Sequence, residues 1–207
     1  GLGLLGRGIG DTAFLAECGA ILTVTDLKTK EQLQNALKEL EHYPDIQYVL
    51  GEHRLEDFRE CDAVLKAAGV PLHSLYIEEA RQHDIPIVMS GAYFVQHANI
   101  PVVGVTGSRG KSTVTHLIHH VLNTQGTYPE IILGGNIRGV SNLQLLKEVT
   151  EKSIAVMELD SWQLQGFHEA EISPHIAIFT NFLPDHLNYY EGDMDAYLDR
   201  KSTRLNS

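Results

Sequence analysis

Short apolar runs alternate along this chain with longer stretches in which apolar residues recur every three or four positions. After the opening GLGLLGRGIG, residues 11–18 read as a helix. AILTVTD (20–26) reads as a strand ending at Asp26, and TKEQLQNALKEL (29–40) has helical periodicity with polar faces. IQYVLG is a short strand closed by glycine, and CDAVLKAAGVP (61–71) a short strand, a loop and a proline stop. SLYIEEARQHD follows as helix and IPIVMS as strand. This βαβα order with short links predicts a parallel sheet covered on both faces, with residues 1–93 as one unit.

Near residues 94–100 the pattern restarts. IPVVGVTG is a second apolar strand, followed by a glycine-rich loop and a helix over about residues 111–124. SIAVMELD (153–160) and PHIAIFTN (174–181) read as further strands, the second running into FLPDHLNYYEGD, and residues 194–201 read as helical. Residues 94–207 are therefore expected to form a second α/β domain.

Composition narrows the function classes. Asp plus Glu exceed Lys plus Arg by 27 to 16, for a net charge of -11, which argues against a broad nucleic-acid surface. Cys18 and Cys61 form neither a disulfide framework nor a ligand spacing, so a reducing, cytoplasmic location is expected. No run approaches the roughly 20 apolar residues of a membrane span. The opening glycine turn lacks the strand that normally precedes one, and the KSTRLNS end carries no apolar period. The missing strand suggests a piece of a longer chain, and the polar end reads as a frayed terminus, a truncation scar or a sequencing artefact.

GVTGSRGKSTVTHL (104–117) carries the strongest chemistry. Its 104–112 stretch is close to G-x-x-x-x-G-K-[ST], with Gly107 as an added glycine. Glycines let backbone N–H groups converge, and the following helix N-terminus attracts anionic oxygens. Gly107, Ser108, Arg109, Gly110, Lys111, Ser112 and Thr113 are the candidate ATP-binding residues, with Lys111 reaching the outer phosphates and Ser112 offering its hydroxyl to Mg2+. Arg109 supplies a further cation or faces solvent.

Phosphoryl transfer also needs a carboxylate for the metal. Glu158 and Asp160 end an apolar strand. Glu158 is the candidate Mg2+ ligand and Asp160 its supporting partner, the alternative being that both cap a turn. His186, after Asp185 in TNFLPDH, either binds a second cation or is simply solvated. His116 and His120 share one helical face but lack a third zinc ligand. The first glycine turn and Asp26 fit a Rossmann-like nucleotide site. A nucleotide-linked substrate there and ATP in the second domain account for both glycine motifs, whereas NAD accounts for one. A turn needed only for packing is the remaining reading.

Taken together, GLGLLGRG, AAGVPLHSLYIEEARQHDIPIV, GVTGSRGKSTVT, GGNIRG, ELDSWQLQ and TNFLPDHLNYY resemble the ATP-dependent Mur ligases in order and spacing, nearest to the D-glutamate-adding branch. The resemblance implies a Rossmann-like parallel-sheet N-terminal domain (1–93, without its first strand) that holds UDP-N-acetylmuramoyl-L-alanine. A P-loop ATP-binding central domain (94–207) follows. A third domain, which helps hold ATP and the incoming D-glutamate, is outside this chain, so substrate binding without turnover is expected. ATP and Mg2+ are the implied cofactors, and a monomer is expected.

By matching motif, Lys111, Asn136, Gln163, His186 and Lys201 are the implied catalytic residues. Ser112, Glu158, His186 and Lys201 are the implied metal ligands, Lys201 as a carbamate. Leu4, Leu5, Asp26, Leu27, Gly69 and Asn136 are the implied contacts to the UDP substrate. The chain departs from the family in Asp160, where serine is usual, in Arg109, where asparagine is common, and in LKAAGVP, which lacks the SPG start. The alternatives are another Mur or folylpolyglutamate-type ligase, or a noncatalytic nucleotide-binding module.

Overall fold

Parallel strands alternate with helices throughout the computed structural model, which describes residues 1–2, 6–71, 73–184, 194–195 and 198. The chain forms two compact units, one of Gly1–Ser90 with Arg138–Gln144 and the other of Gly91–Ile137 with Leu145–Ser207.

The first unit contains α1 (Arg7–Glu17), β1 (Thr23–Asp26), α2 (Gln34–Glu39), β2 (Gln47–Leu50), β3 (Val64–Leu65), α3 (Leu75–Gln82) and β4 (Ile87–Val88). β1 pairs with β2 and β3 with β4, both parallel, as two separate two-stranded sheets. The helix expected over 29–40 begins with a turn in which Thr29 N–H donates to Gln32 Oε1 (2.9 Å) and Gln32 N–H to Thr29 Oγ1 (3.5 Å). This reciprocal cap satisfies the opening donors before regular helix starts at Gln34. Leu33, Ala36 and Leu40 fall on one face and bury with Leu2 and Ile46, against Val24, Tyr48 and Leu50 from β1 and β2. Ser74 caps α3 by accepting from the Ile77 N–H (3.3 Å).

α1 carries a buried carboxylate. Asp11 Oδ1 accepts from Ser141 Oγ (2.6 Å) and from the Leu143 N–H (3.3 Å), which ties residues 141–143 to the helix. Burial raises the Asp11 pKa, and the hydrogen bonds from Ser141 and Leu143 only partly oppose it. A raised native pKa gives stability that is full below the ordinary aspartate range and is lost as pH rises through the native value. Asp11→Asn keeps an acceptor for both bonds and removes the ionisation. We expect the urea midpoint of the unmutated chain to fall as pH rises above the ordinary aspartate range, and that part of the fall to vanish in Asp11→Asn. Identical pH slopes would refute the assignment.

The second unit contains β5 (Val102–Thr106), α5 (Lys111–Gln125), β6 (Glu130–Gly135), β7 (Ser153–Glu158), α6 (Ser161–Glu169) and β8 (Ile176–Phe179), with α4 (Ser90–Ala98) leading in. Its sheet runs β6-β7-β5-β8, all parallel. Every residue of β5 and β7 is buried, as expected for central strands of a covered parallel sheet. Each Val or Met so buried contributes about 1.5–3 kcal/mol. α4, β6 and α6 are additions to the elements expected from the sequence, and Ser90, read as the end of a strand, opens α4. β6 has only three consecutive strong apolar residues, Ile131 to Leu133. Six of the nine residues of α6 are buried, Ser161, Gln163 and Gln165 among them, so it has no apolar stripe to detect. Met194, Asp195 and Leu198 are helical, and the rest of the helix expected over 194–201 lies outside the described residues. Among the described residues no helix is long and apolar enough to cross a membrane.

Candidate functional site

In the second unit the chain leaves β5 for β6 on one side of the sheet, and β8 adds on the other side of β5. The carboxyl end of β5 is thus the topological switch point, where open parallel sheets form their crevice. The glycine loop lies there, between β5 and the 15-residue helix α5. Gly107 has φ 136°, and a Cβ on it would overlap the Thr180 hydroxyl. Gly110, at φ 80°, is the N-cap of α5. Lys111 opens the helix, and its Nζ donates to the carbonyls of Gly107 (3.0 Å) and Ser108 (3.1 Å). Ser112 and Thr113 are exposed on the first helical turn, where backbone N–H groups have no partner within the helix.

A clasp that the sequence did not announce holds this loop. Asn181 Nδ2 donates to the Arg109 carbonyl (3.1 Å), and its Oδ1 accepts from the Arg109 N–H (2.9 Å). The Asn181 carbonyl accepts from the Ser108 N–H (2.9 Å). Ser108 Oγ donates to the Leu183 carbonyl (2.8 Å) and accepts from the Leu183 N–H (2.9 Å), and Thr180 Oγ1 donates to the Arg109 carbonyl (2.7 Å). The Ser108 and Arg109 N–H groups therefore face Asn181. TN directly after an apolar strand was the available signal. Removing the amide in Asn181→Ala takes the side-chain acceptor from the Arg109 N–H and leaves its carbonyl to Thr180 alone, and should lower unfolding free energy by about 0.5–1.5 kcal/mol. Urea denaturation checks this, and an unchanged curve would mean the clasp is not held in solution.

Glu158 ends β7 in register with Val105 on one side and Gly135 on the other. It is 5% exposed, and its Oε1 accepts from Asn136 Nδ2 at 3.5 Å, while its carbonyl accepts from the Asn136 N–H at 2.7 Å. The structure thus brings together Glu158 and Asn136, which are 22 residues apart in sequence. Asp160 caps α6, its Oδ1 accepting from the Gln163 N–H (2.7 Å). Gln163 is buried on the first turn of that helix. Thr106 Oγ1 and Ser161 Oγ, at the end of β5 and the start of α6, are buried with no hydrogen-bond partner among the described residues.

His116 and His120 are exposed, while His119 Nε2 lies 3.1 Å from the Ile131 carbonyl. Among the described residues no three His, Cys, Asp or Glu side chains form a metal-holding group. Asp185, His186 and Lys201 lie outside the described residues.

In the first unit Asp26 is buried at the carboxyl end of β1, where its Oδ1 accepts from the Lys28 N–H (2.9 Å) and lies 3.7 Å from Lys28 Nζ. Leu27 is exposed, as is Gly69 on the loop after β3. Leu4 and Leu5 lie outside the described residues. Sequence reasoning missed a neighbouring ring cluster. His53 bonds Thr25 through Nδ1 and sits edge-on to Tyr76 (centroids 4.9 Å apart) and Phe58 (6.0 Å). Burial lowers the His53 pKa. Positions 53, 58 and 76 follow no period, so only the fold joins them.

Residues 105–205 match the family described as the Mur ligase middle domain. The chain is 41% identical over 198 residues to the UDP-N-acetylmuramoylalanine--D-glutamate ligase of Roseiflexus sp. (strain RS-1), covering 96% of this chain and 41% of that protein. Proteins of the same name from Borreliella burgdorferi (strain ZS7) and Treponema pallidum (strain Nichols) are 38% and 37% identical, over 100% and 97% of this chain and 44% and 39% of their own lengths. The chain thus spans about two-fifths of the length of these curated relatives. With a middle-domain match that runs through the glycine loop and both carboxylate positions, and relatives aligned along nearly all of its residues, this chain belongs to the Mur ligase family.

Proposed function

We propose that this chain is the substrate- and ATP-binding part of a ligase that adds D-glutamate to UDP-N-acetylmuramoyl-L-alanine in peptidoglycan synthesis. The observation that carries the reading is the glycine loop and Lys111 at the switch point of β5, with buried Glu158 on the adjacent strand. The names of the relatives support the substrate pair. In this reading residues 1–93 are a Rossmann-like domain for the uridine nucleotide, and Leu4, Leu5, Asp26, Leu27 and Gly69 line its site. Residues 94–207 are a P-loop domain for ATP, in a cytoplasmic protein.

The residues present fit a nucleotide and its metal. The start of α5 offers N–H groups to phosphate oxygens. Lys111 exchanges its two loop carbonyls for the outer phosphates. Ser112 and Glu158 offer a hydroxyl and a carboxylate for Mg2+, with His186 and Lys201 as further ligands; the buried Thr106 hydroxyl, on the residue after the strand partner of Glu158, adds a polar group. Mg2+ supplies charge neutralisation for the crowded phosphate oxygens. Asn136 holds Glu158 in place and, with Gln163, orients the muramoyl substrate. A carboxylate is a poor electrophile. Its oxygen therefore first attacks the γ-phosphorus, releasing ADP and leaving an acyl phosphate. The D-glutamate amine then attacks the acyl carbon, phosphate departs, and the amine loses a proton. Lys111 stabilises negative charge on the transferring group throughout.

Titration calorimetry tests the reading. Folded protein should bind UDP-N-acetylmuramoyl-L-alanine saturably, and should bind ATP with a Mg2+ dependence that Glu158→Gln weakens. No binding of the muramoyl nucleotide by a folded sample would overturn the substrate assignment, and an unaltered Mg2+ dependence would overturn the role of Glu158.

A further inference from the structure

The loop that follows β3 contains a buried ammonium whose bonds run to main-chain carbonyls. Lys66 is 4% exposed. Its N–H continues the strand pairing by donating to the Val88 carbonyl (2.8 Å), while its side chain folds back over the next turn. There Nζ donates to the carbonyls of Val70 (2.6 Å), Ala67 (3.2 Å) and Ala68 (3.5 Å). An ammonium has three donors, and these are three acceptors. Burying such a group is unfavourable unless its donors are met, so the turn is held with its carbonyls inward.

The carbonyl of one residue and the N–H of the next point in opposite directions across a planar trans peptide. With the Ala67 and Ala68 carbonyls aimed at Lys66, the N–H groups of Ala68 and Gly69 face away from it, on the outer side of the loop. Gly69 is exposed there. A Cβ on Gly69 would meet nothing within 4 Å, and its φ is outside the left-handed range, so neither packing nor backbone conformation calls for glycine. A missing side chain at an open, donor-bearing turn leaves room for a ligand to approach the backbone.

We propose that Lys66 is a positioning residue for the substrate diphosphate. It holds the peptides of Ala67 and Ala68 so that the Ala68 and Gly69 N–H groups converge on phosphate oxygens. The inference rests on the reading of the first unit as a uridine-nucleotide domain. The resemblance implied contact at Gly69, and the structure adds the residue that organises it.

The test compares uridine with UDP, by calorimetry and by amide spectra of the 15N-labelled chain. In the unmutated chain UDP, but not uridine, should shift the Ala68 and Gly69 amides. Lys66→Met should weaken UDP about 10- to 100-fold, the range of a lost charge-assisted contact, and change uridine affinity by no more than about twofold. A purely structural role would weaken both ligands equally and would overturn the proposal, as would undiminished UDP binding. Should Lys66→Met fail to fold, Gly69→Val decides, since its side chain enters open space. It should keep the fold and lose UDP, and intact UDP binding there would overturn the proposal. If the unmutated chain binds neither ligand, the uridine-nucleotide reading itself falls. If it binds UDP with the two amides unmoved, only the role of Lys66 falls.

Discussion

Lys111→Met should reduce ATP affinity by about two orders of magnitude while leaving the fold close to its unmutated stability. Lys111 is the first residue of α5, and its Nζ holds two carbonyls of the glycine loop. Methionine matches its length and its helix propensity, so the helix start is preserved. The lost bonds run to main-chain oxygens at a half-buried position, and should lower unfolding free energy by no more than about 1–2 kcal/mol. With phosphate as partner the contacts are charge-assisted. Two such contacts at about 1.5 kcal/mol each give about 3 kcal/mol, or about 100-fold in affinity. Titration of ATP into folded Lys111→Met protein checks this. Equal affinity in the two proteins would remove Lys111 from the phosphate site.

Gly135→Ala should be the most damaging single-methyl change in the second unit. Gly135 pairs with Glu158 across β6 and β7 and has φ 86°. An alanine there costs about 1–2 kcal/mol for its left-handed backbone alone. Its Cβ would also overlap the Glu158 carbonyl oxygen and press on the Glu158 N–H and carbonyl carbon. Neither strand can yield cheaply, because β7 is buried along its whole length and the next residue, Asn136, donates to the same carbonyl. A total loss of about 3 kcal/mol or more is expected, with Mg2+-dependent ATP binding lost as Glu158 shifts. Gly139 provides the control. It has φ 77° but open space around its Cβ, so Gly139→Ala should lose only the backbone contribution. Urea denaturation of both variants separates the two effects, and equal losses would show that the close approach at Gly135 is not present in solution.

The loop and its lysine were legible because their signal is local. Glycine spacing, a preceding apolar strand and a following helix all fall within residues 102–125. The strands β1, β5, β7 and β8 were legible for a similar reason, as each is a short apolar run. β6 escaped because its apolar run is only three residues long, and α6 because it is buried on several sides, which leaves no period to read. Asp160 shows a finer limit. Alternation about Leu159 allowed both carboxylates one role, yet the start of α6 draws Asp160 to its own Gln163 N–H and leaves Glu158 to Asn136.

By itself the sequence determined the parallel α/β character, the phosphate-loop candidate and the family, since these rest on short-range spacing and on motif order. The tertiary structure decided which groups meet. Asn181 reaches Arg109 across 72 residues, Glu158 meets Asn136 across 22, and Asp11 is joined to Ser141 across 130. It also decided that the Lys66 ammonium turns inward to the carbonyls of its own loop. Such pairings depend on strand order and on where each turn places its peptides. Those are set by burial of whole elements against one another, which no local window of sequence contains.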